Sequence, residues 1–288
     1  MSASADSTSP VWFITGCSSG FGTKLALLAL HAGHRVIDTS RNPSKTPELV
    51  SRVESLGGKW LTLDVILPNA PSVVRSALKI YGHIDYFINN AGYSLLGAVE
   101  DLGEEEYHVN LFAPLKLIQT IIPLMCECKS GIIVNFSSIA GLDGIATCGL
   151  YSASRFALEG MSESLALELA PFGICVLIVE PGAFRSNFLG AYIKPAIGMS
   201  DAYKGTAVET QMDSFAGWSG KQPGNVAVGC QRIFEVITDT GMGRGMEKYL
   251  RLGLGSDWAS RGEGKIRSLV ETKEALEPIW KSTDYKDE

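Results

Sequence analysis

VWFITGCSSGFG, Val11 to Gly22, sets a short run of β-branched and aromatic residues directly against a glycine-rich turn. The run Val11 to Thr15 reads as a buried strand. The stretch that follows, Gly22 to Ala32, carries Leu25, Leu28 and Ala29 at helical spacing. Glycine is common at strand-to-helix turns for steric reasons alone. What makes this turn informative is its place, after the first strand and at the mouth of the first helix. There Gly16, Gly20 and Gly22 let the backbone turn tightly, approach a pyrophosphate and aim the first helical N–H groups at it. Ser18 and Ser19 add hydroxyl donors, and Phe21 lies between the last two glycines.

Outward from this unit, short apolar runs alternate with longer helical patterns, as expected of βαβ units and a parallel sheet covered on both faces. The candidate strands are Val11 to Thr15, Arg35 to Thr39, Lys59 to Asp64, Ile84 to Asn89, Gly131 to Ser137, Ile174 to Glu180 and a late one at Glu247 to Leu250. The fold class is therefore α/β: a doubly wound, Rossmann-type parallel sheet of about seven strands in three layers, α/β/α. A second helical pattern, Arg155 to Leu169, places Phe156, Leu158, Met161, Leu165 and Leu169 on the sheet. Residues 1–10 are expected to be a disordered tail and 11–288 a single domain. Residues 187–222 lack a strong period and read as a substrate lid. Residues 266–280 read as a C-terminal amphipathic helix on the body, followed by the polar tail STDYKDE.

The composition excludes several roles. The chain has 288 residues, 45% of them hydrophobic, and a formal net charge of −6. Basic residues are dispersed, so no electrostatic stripe suits a nucleic acid. The N-terminus lacks a signal-peptide pattern, and aliphatic runs such as Ile174 to Val179 are far too short to cross a bilayer. The expectation is a cytoplasmic protein without membrane insertion. Its six cysteines should be mostly reduced core thiols. Cys126 and Cys128 form a CxC without nearby further ligands, so no metal site is expected.

Nineteen residues after Gly22 the second strand ends in Ser40-Arg41. An NAD site places an acid there for the ribose 2′-hydroxyl, whereas arginine favours a 2′-phosphate. NADP(H) is thus the cofactor expected. Asp38, three residues earlier, is the complication, because a side chain reaching the adenosine side would repel that phosphate.

NNAG at Asn89 to Gly92, NFSS at Asn135 to Ser138, YSASR at Tyr151 to Arg155 and PGAF at Pro181 to Phe184 follow in order. Together with the glycine turn, they make the chain resemble the short-chain dehydrogenase/reductase family from about Val11 to the C-terminus. The resemblance implies that Asp64 and Val65 touch the adenine ring. It implies that Asn90, Ala91 and Gly92 line the cofactor, and that Phe184 and Ser186 contact the nicotinamide amide. Tyr151 would be the general acid/base, Ser138 the residue orienting the carbonyl, and Asn110 the support of a proton-relay water.

One departure concerns chemistry. The family places a lysine four residues after the tyrosine, where its charge favours the phenolate and its ammonium holds the nicotinamide ribose. Here that residue is Arg155. Arginine keeps the charge and presents a fork of donors, but it is essentially never deprotonated. The electrostatic task survives the exchange and the relay task does not. A second departure is the segment from Gly92 to Asn110, several residues shorter than usual. It removes about one turn from the helix that often builds the dimer interface, and it bears on both Asn110 and the homodimer or homotetramer that the resemblance implies.

Three readings follow. The first is an NADP(H)-dependent oxidoreductase interconverting a ketone and a secondary alcohol on an apolar, specialised-metabolite substrate. The second is a non-redox isomerase or cyclase, and the third a dinucleotide-binding regulator. The lid residues Phe188, Tyr192, Ile193, Met199, Tyr203, Met212, Phe215 and Trp218 suit an apolar small-molecule substrate. They equally suit plain packing of the lid onto the body.

Overall fold

The computed structural model describes residues 9–195 and 198–285. Seven strands form one sheet in the order β3-β2-β1-β4-β5-β6-β7, every pair parallel. They are β1 Val11–Ile14, β2 Arg35–Ser40, β3 Lys59–Thr62, β4 Tyr86–Asn89, β5 Gly131–Phe136, β6 Ile174–Pro181 and β7 Arg251–Leu254. The order reverses between β1 and β4, so the crevice beyond their carboxyl ends is where such a sheet takes a ligand. The Rossmann-type α/β expectation holds.

Helices α1 Gly20–His31, α2 Pro47–Ser55 and α3 Ala70–Tyr81 connect the first half of the sheet. The short α4 Glu105–Tyr107 runs through a π-helical stretch, His108–Phe112, into α5 Ala113–Cys128; α6 Gly149–Leu169 follows β5. The chain closes with α7 Ala207–Trp218, α8 Val226–Ile237, α9 Ser256–Ala275 and α10 Glu277–Lys281. Each face of the sheet has its own core. On one, Trp12, Ile14, Leu25, Leu177 and Ile233 pack beneath α1 and α8, with Trp12 stacked on Phe234 at 5.6 Å. On the other, Phe13 stacks on Phe87 at 5.1 Å, and Val74, Leu117, Ile121 and Leu165 come from α3, α5 and α6. Burying an aromatic or aliphatic side chain of this size contributes about 1.5–3 kcal/mol, so the paired cores fix the sheet that carries the site.

Several expectations need correction. The seventh strand is Arg251–Leu254, four residues later than 247–250. Arg251 is paired with Glu180 at 2.9 Å, with Glu163 at 2.5 Å and with Glu159 at 3.4 Å, so ion pairs rather than a β-branched run seat this strand. The lid segment contains a regular twelve-residue helix, α7, whose Thr206 hydroxyl accepts the Val208 N–H at 3.2 Å. The C-terminal helix begins at Ser256 and does not lie along the body. Its start is bound through Asp257 to the Ala183 N–H and through Arg261 to Asp143, but Ile266, Leu269 and Ile279 are exposed.

Ser9 and Pro10 are tied down, because Arg35 donates to the Ser9 carbonyl and its N–H to that of Pro10. Residues 1–8 of the expected tail, and 286–288, lie outside the described residues. Phe156 faces outward at 41% exposure, not onto the sheet. Cys17, Cys148 and Cys230 are buried, whereas Cys128 and Cys175 are exposed. The stretch Glu105–Cys128 is, by length and composition, long and apolar enough to cross a membrane, contrary to the reading of short aliphatic runs. Its Ala113, Leu117, Ile118, Ile121 and Met125 are buried against the sheet, which accounts for that apolarity as core packing.

Candidate active site

The phosphate end is built almost wholly by backbone. Gly16 has φ +72°, and a Cβ there would lie 2.8 Å from Ala91 Cα; one on Gly22 would lie 2.6 Å from Asn90 Nδ2. Neither position tolerates a side chain without displacing the β4 loop. Asn90 explains the closeness, since its Nδ2 donates to the carbonyls of Thr15 at 2.8 Å and Gly16 at 3.1 Å. The Thr15 hydroxyl in turn accepts the N–H groups of Asn90 and Ala91, each at 3.0 Å. Ser18 and Ser19 are exposed, and no side chain caps the first turn of α1. Exposed hydroxyls and an uncapped helix start are the arrangement that suits an anion.

A cavity of about 490 Å³ continues from Ser18 along Ser40, Arg41, Asn42, Lys45 and Thr46. Arg41 and Lys45 are exposed there, while Trp60 Nε1 holds the Ser40 hydroxyl at 3.1 Å. Two cations and a hydroxyl-lined floor fit a 2′-phosphate. Lys45 and Thr46 were not read from the sequence; their signal is the RNPSKT run that folds back on Arg41.

Asp38 does not reach this cavity. It is fully buried in β2, beside the Cys17 thiol, and neither carboxylate oxygen has a well-formed hydrogen bond. Burial raises its pKa to about 7, an effect opposed by the thiol, and pushes that of Cys17 up as well, the neighbouring Asp38 adding to the rise. Every residue of β2 is buried between the two helical layers, so Asp38 is enclosed in mid-strand while Arg41, past the strand end, is exposed.

Asp64 is half-buried, and its Oδ1 accepts the Ile66 N–H at 3.3 Å. Phe184 packs edge-on against Phe21 at 5.1 Å, and Phe21 lies 5.6 Å from Phe136, so both rings are core elements under the site. The Phe184 carbonyl accepts the Ser186 N–H at 2.8 Å. Ser186 faces the glycine turn, its Cβ 3.9 Å from where a Cβ of Gly20 would stand.

The chemical end lies at the carboxyl end of β5. Ser138 follows that strand, and its hydroxyl accepts the Ala140 N–H at 3.1 Å, leaving its own proton to donate. Tyr151, in the first turn of α6, is 7% exposed. Its ring lies 5.6 Å from Phe188 and 5.2 Å from the Arg155 guanidinium carbon. Arg155 is 5% exposed, and its Nη1 donates to the Phe136 carbonyl at 2.9 Å. Its Nη2 stands 2.5 Å from where a Cβ of Gly92 would be, so this glycine makes room for the larger guanidinium. Around Tyr151 gather Leu96, Ala140, Cys148, Phe188, Tyr192, Met212 and Phe215, an apolar cluster partly supplied by the lid. Ile193 and Trp218, expected with them, are half exposed.

Asn110 is fully buried in the π-helical stretch, clamped to Tyr93 by Oδ1 at 3.2 Å and Nδ2 at 2.9 Å. It is directed inward from within that π turn, whose hydrogen bonds span one residue more than those of an α-helix. Its Nδ2 also meets Ser154 Oγ at 3.3 Å and Glu106 Oε1 at 3.0 Å. Glu106 went unnoticed in sequence, hidden in the acidic run of GEEEY, yet it is fully buried. Burial raises its pKa to about 7 against the opposing pull of Arg155.

Known proteins match the chain in family and fold. The family model for short chain dehydrogenases matches residues 10–195. The oxidoreductase claN of Passalora fulva is 41% identical over 216 residues, covering 73% of this chain and 98% of that protein. A short-chain dehydrogenase structure from Streptomyces avermitilis is similar over 96% of this chain and 99% of its own, with TM-score 0.83 and 34% identity. A metagenomic short-chain oxidoreductase solved with NADP shares 31% identity with TM-score 0.57, covering 62% of this chain and 86% of its own.

Proposed function

We propose, from the premise that this chain belongs to the short-chain dehydrogenase/reductase family, that it is an NADP(H)-dependent oxidoreductase interconverting an apolar ketone and its secondary alcohol. One observation carries the reading. A buried tyrosine stands against a buried cation and inside an apolar pocket, on the same sheet edge as a glycine turn with two exposed cations.

When bound, NADP(H) supplies or accepts the hydride. Gly16, Gly20 and Gly22 admit its pyrophosphate, Arg41 and Lys45 pair with the 2′-phosphate, and Asp64, Asn90, the Phe184 backbone and Ser186 line the rest. The bound NADP of the metagenomic relative supports this preference. In the reducing direction Ser138 and Tyr151 both donate to the substrate oxygen, and Tyr151 gives up its proton as negative charge develops there. Arg155 stabilises the phenolate left behind and presents its remaining donors to the nicotinamide ribose. The ring formed by Phe188, Tyr192, Met212 and Phe215 excludes water and selects an apolar, specialised-metabolite type of substrate over a charged one. The lid role of residues 187–222 belongs to this proposal, as does assembly into a homodimer or homotetramer.

A second reading, a member without redox turnover, draws on the Arg155 bond to the Phe136 carbonyl, which withdraws one donor from the ribose. The test is NADPH oxidation with a panel of apolar, polar and anionic ketones, using wild type and Tyr151→Phe. Oxidation by apolar ketones that Tyr151→Phe abolishes is the expected result. NADPH binding with no oxidation across the panel would favour the second reading.

A further inference from the structure

Arg155 solves one problem and leaves another. A guanidinium can hold a phenolate and a ribose, but it does not release a proton, so each turnover leaves Tyr151 needing one from elsewhere. The structure sets a carboxyl beside this deficit. Glu106 is fully buried, and its Oε1 is fixed by Asn110 Nδ2 at 3.0 Å, while Oε2 has no well-formed hydrogen bond. Arg155 Nε likewise lacks one. Gly92 is the meeting point, with both Arg155 Nη2 and Asn110 Oδ1 within 3.1 Å of its would-be Cβ. The short α4 that carries Glu106 packs directly on α6, which carries Tyr151 and Arg155.

A carboxyl buried for structure alone is normally satisfied at both oxygens. Glu106 has a well-formed hydrogen bond at one, with the Leu95 amide as a further, weaker partner, and its environment balances between charge states. Burial favours the neutral acid, whereas Arg155, the Leu95 amide and Asn110 favour the carboxylate. The other ionisable groups around it are Glu105 and Glu104 in its own turn, Tyr93, whose pKa burial and Glu106 both raise, and the Cys148 thiol at the start of α6. Arg41 acts on Tyr93 and Arg261 on Cys148, both tempering those rises. Among these groups Arg155 is the cation that acts on Glu106 itself.

We propose that Glu106 is the proton-exchanging partner of Arg155, a relay residue that does for this site what the guanidinium cannot. This rests on the ketone-reductase reading above. After Tyr151 has given its phenolic proton to the substrate oxygen, the O–H bond of Glu106 breaks. That proton passes through hydrogen-bonding groups of the bound reactants and solvent to the Tyr151 oxygen, re-forming its O–H bond. The carboxylate left behind is held by Asn110 and the field of Arg155 until solvent returns a proton. The net cost is one solvent proton per ketone reduced, and in the oxidative direction the carboxylate receives it. Glu106 touches neither substrate nor hydride; it acts through Tyr151 and Arg155.

Two measurements test this, one without cofactor. In the unliganded protein, the infrared difference between wild type and Glu106→Gln should show a protonated carboxyl that disappears as pH rises through neutrality. Arg155→Met should move that transition upward by on the order of one pH unit. If Glu106→Gln does not fold, the wild type and Arg155→Met pair carries the test, since both keep the carboxyl. A carboxylate ionised throughout the mildly acidic range, or a transition indifferent to Arg155, overturns the proposal. With NADPH, calorimetry in buffers of different ionisation enthalpy should show uptake of on the order of half a proton near pH 7 in wild type beyond that in Glu106→Gln. Equal uptake in both overturns it. Failure of both proteins to bind NADPH would instead refute the cofactor reading, and the infrared transition would still decide the role of Glu106.

Discussion

Two arginines divide the site. Arg41 stands exposed on the rim of a cavity it shares with Lys45, where water screens its charge and its work is to recognise another charge. Arg155 stands 5% exposed against Tyr151 and acts on Glu106, which Asn110 holds. There the effective dielectric is lower, and in the proposed reaction the same charge acts on the Tyr151 oxygen. The rim is backbone and long cations; the pit is buried side chains, two of which, Glu106 and Arg155, each keep one atom without a well-formed hydrogen bond. In the proposed function one residue type thus does recognition in one place and chemistry in the other. The difference lies in burial and neighbours.

The comparison breaks first in the pit. Arg155→Met should lower turnover of an apolar ketone by about 10²–10⁴-fold, the range expected when acid–base assistance is lost. NADPH and NADH affinity should both weaken. Stopped-flow NADPH oxidation reads the first and fluorescence titration the second.

Asp38 extends the contrast to stability. Its folded pKa, about 7, lies above its unfolded value, so the folded state holds the proton more tightly. Stability therefore falls as pH rises from about 4 to about 7 and stays lower above it. Glu106 and Glu180, both raised by burial to about 7, act in the same direction. Asp38→Asn should be more stable than wild type at pH 8 by on the order of 2–4 kcal/mol and no more stable near pH 4, as urea unfolding at the two pH values would show.

On the phosphate side, Gly22→Ala places a methyl 2.6 Å from Asn90 Nδ2 and 2.7 Å from the Gly16 carbonyl. A cost of about 1–3 kcal/mol in stability is expected, with NADPH binding lost. Thermal unfolding and fluorescence titration measure both. A smaller effect sharpens the substrate side. Phe215→Ala opens the apolar wall around Tyr151 and should raise KM for an apolar ketone about tenfold, with kcat little changed.

The rim was legible in sequence and the pit only half so. Gly16, Gly20, Gly22 and Arg41 announce themselves because backbone turns and strand ends need particular residues at particular spacings. Tyr151 and Arg155 share a helix face four residues apart. Glu106 was not legible, because an acid in the run GEEEY reads as a solvated face until the π turn and the packing of α4 on α6 bury it. Asp38 was ambiguous for the same reason, since only the covering of both faces of β2, between β1 and β3, buries it. The β7 boundary was missed because Arg251 earns its place through three glutamates far away in sequence. What sequence leaves hidden here is burial of charge, a property of the assembled layers.

The most direct test of the division is cofactor affinity measured as a two-by-three matrix, NADPH and NADH against wild type, Arg41→Ala and Arg155→Met. Arg41→Ala should weaken NADPH roughly ten- to hundredfold, as loss of a charge-assisted pairing of about 1.5–3 kcal/mol requires, and leave NADH nearly unchanged. Arg155→Met should weaken both cofactors by the same factor. If Arg41→Ala weakens both alike, or neither, the rim does not read the 2′-phosphate and the account of two arginines with two tasks is wrong.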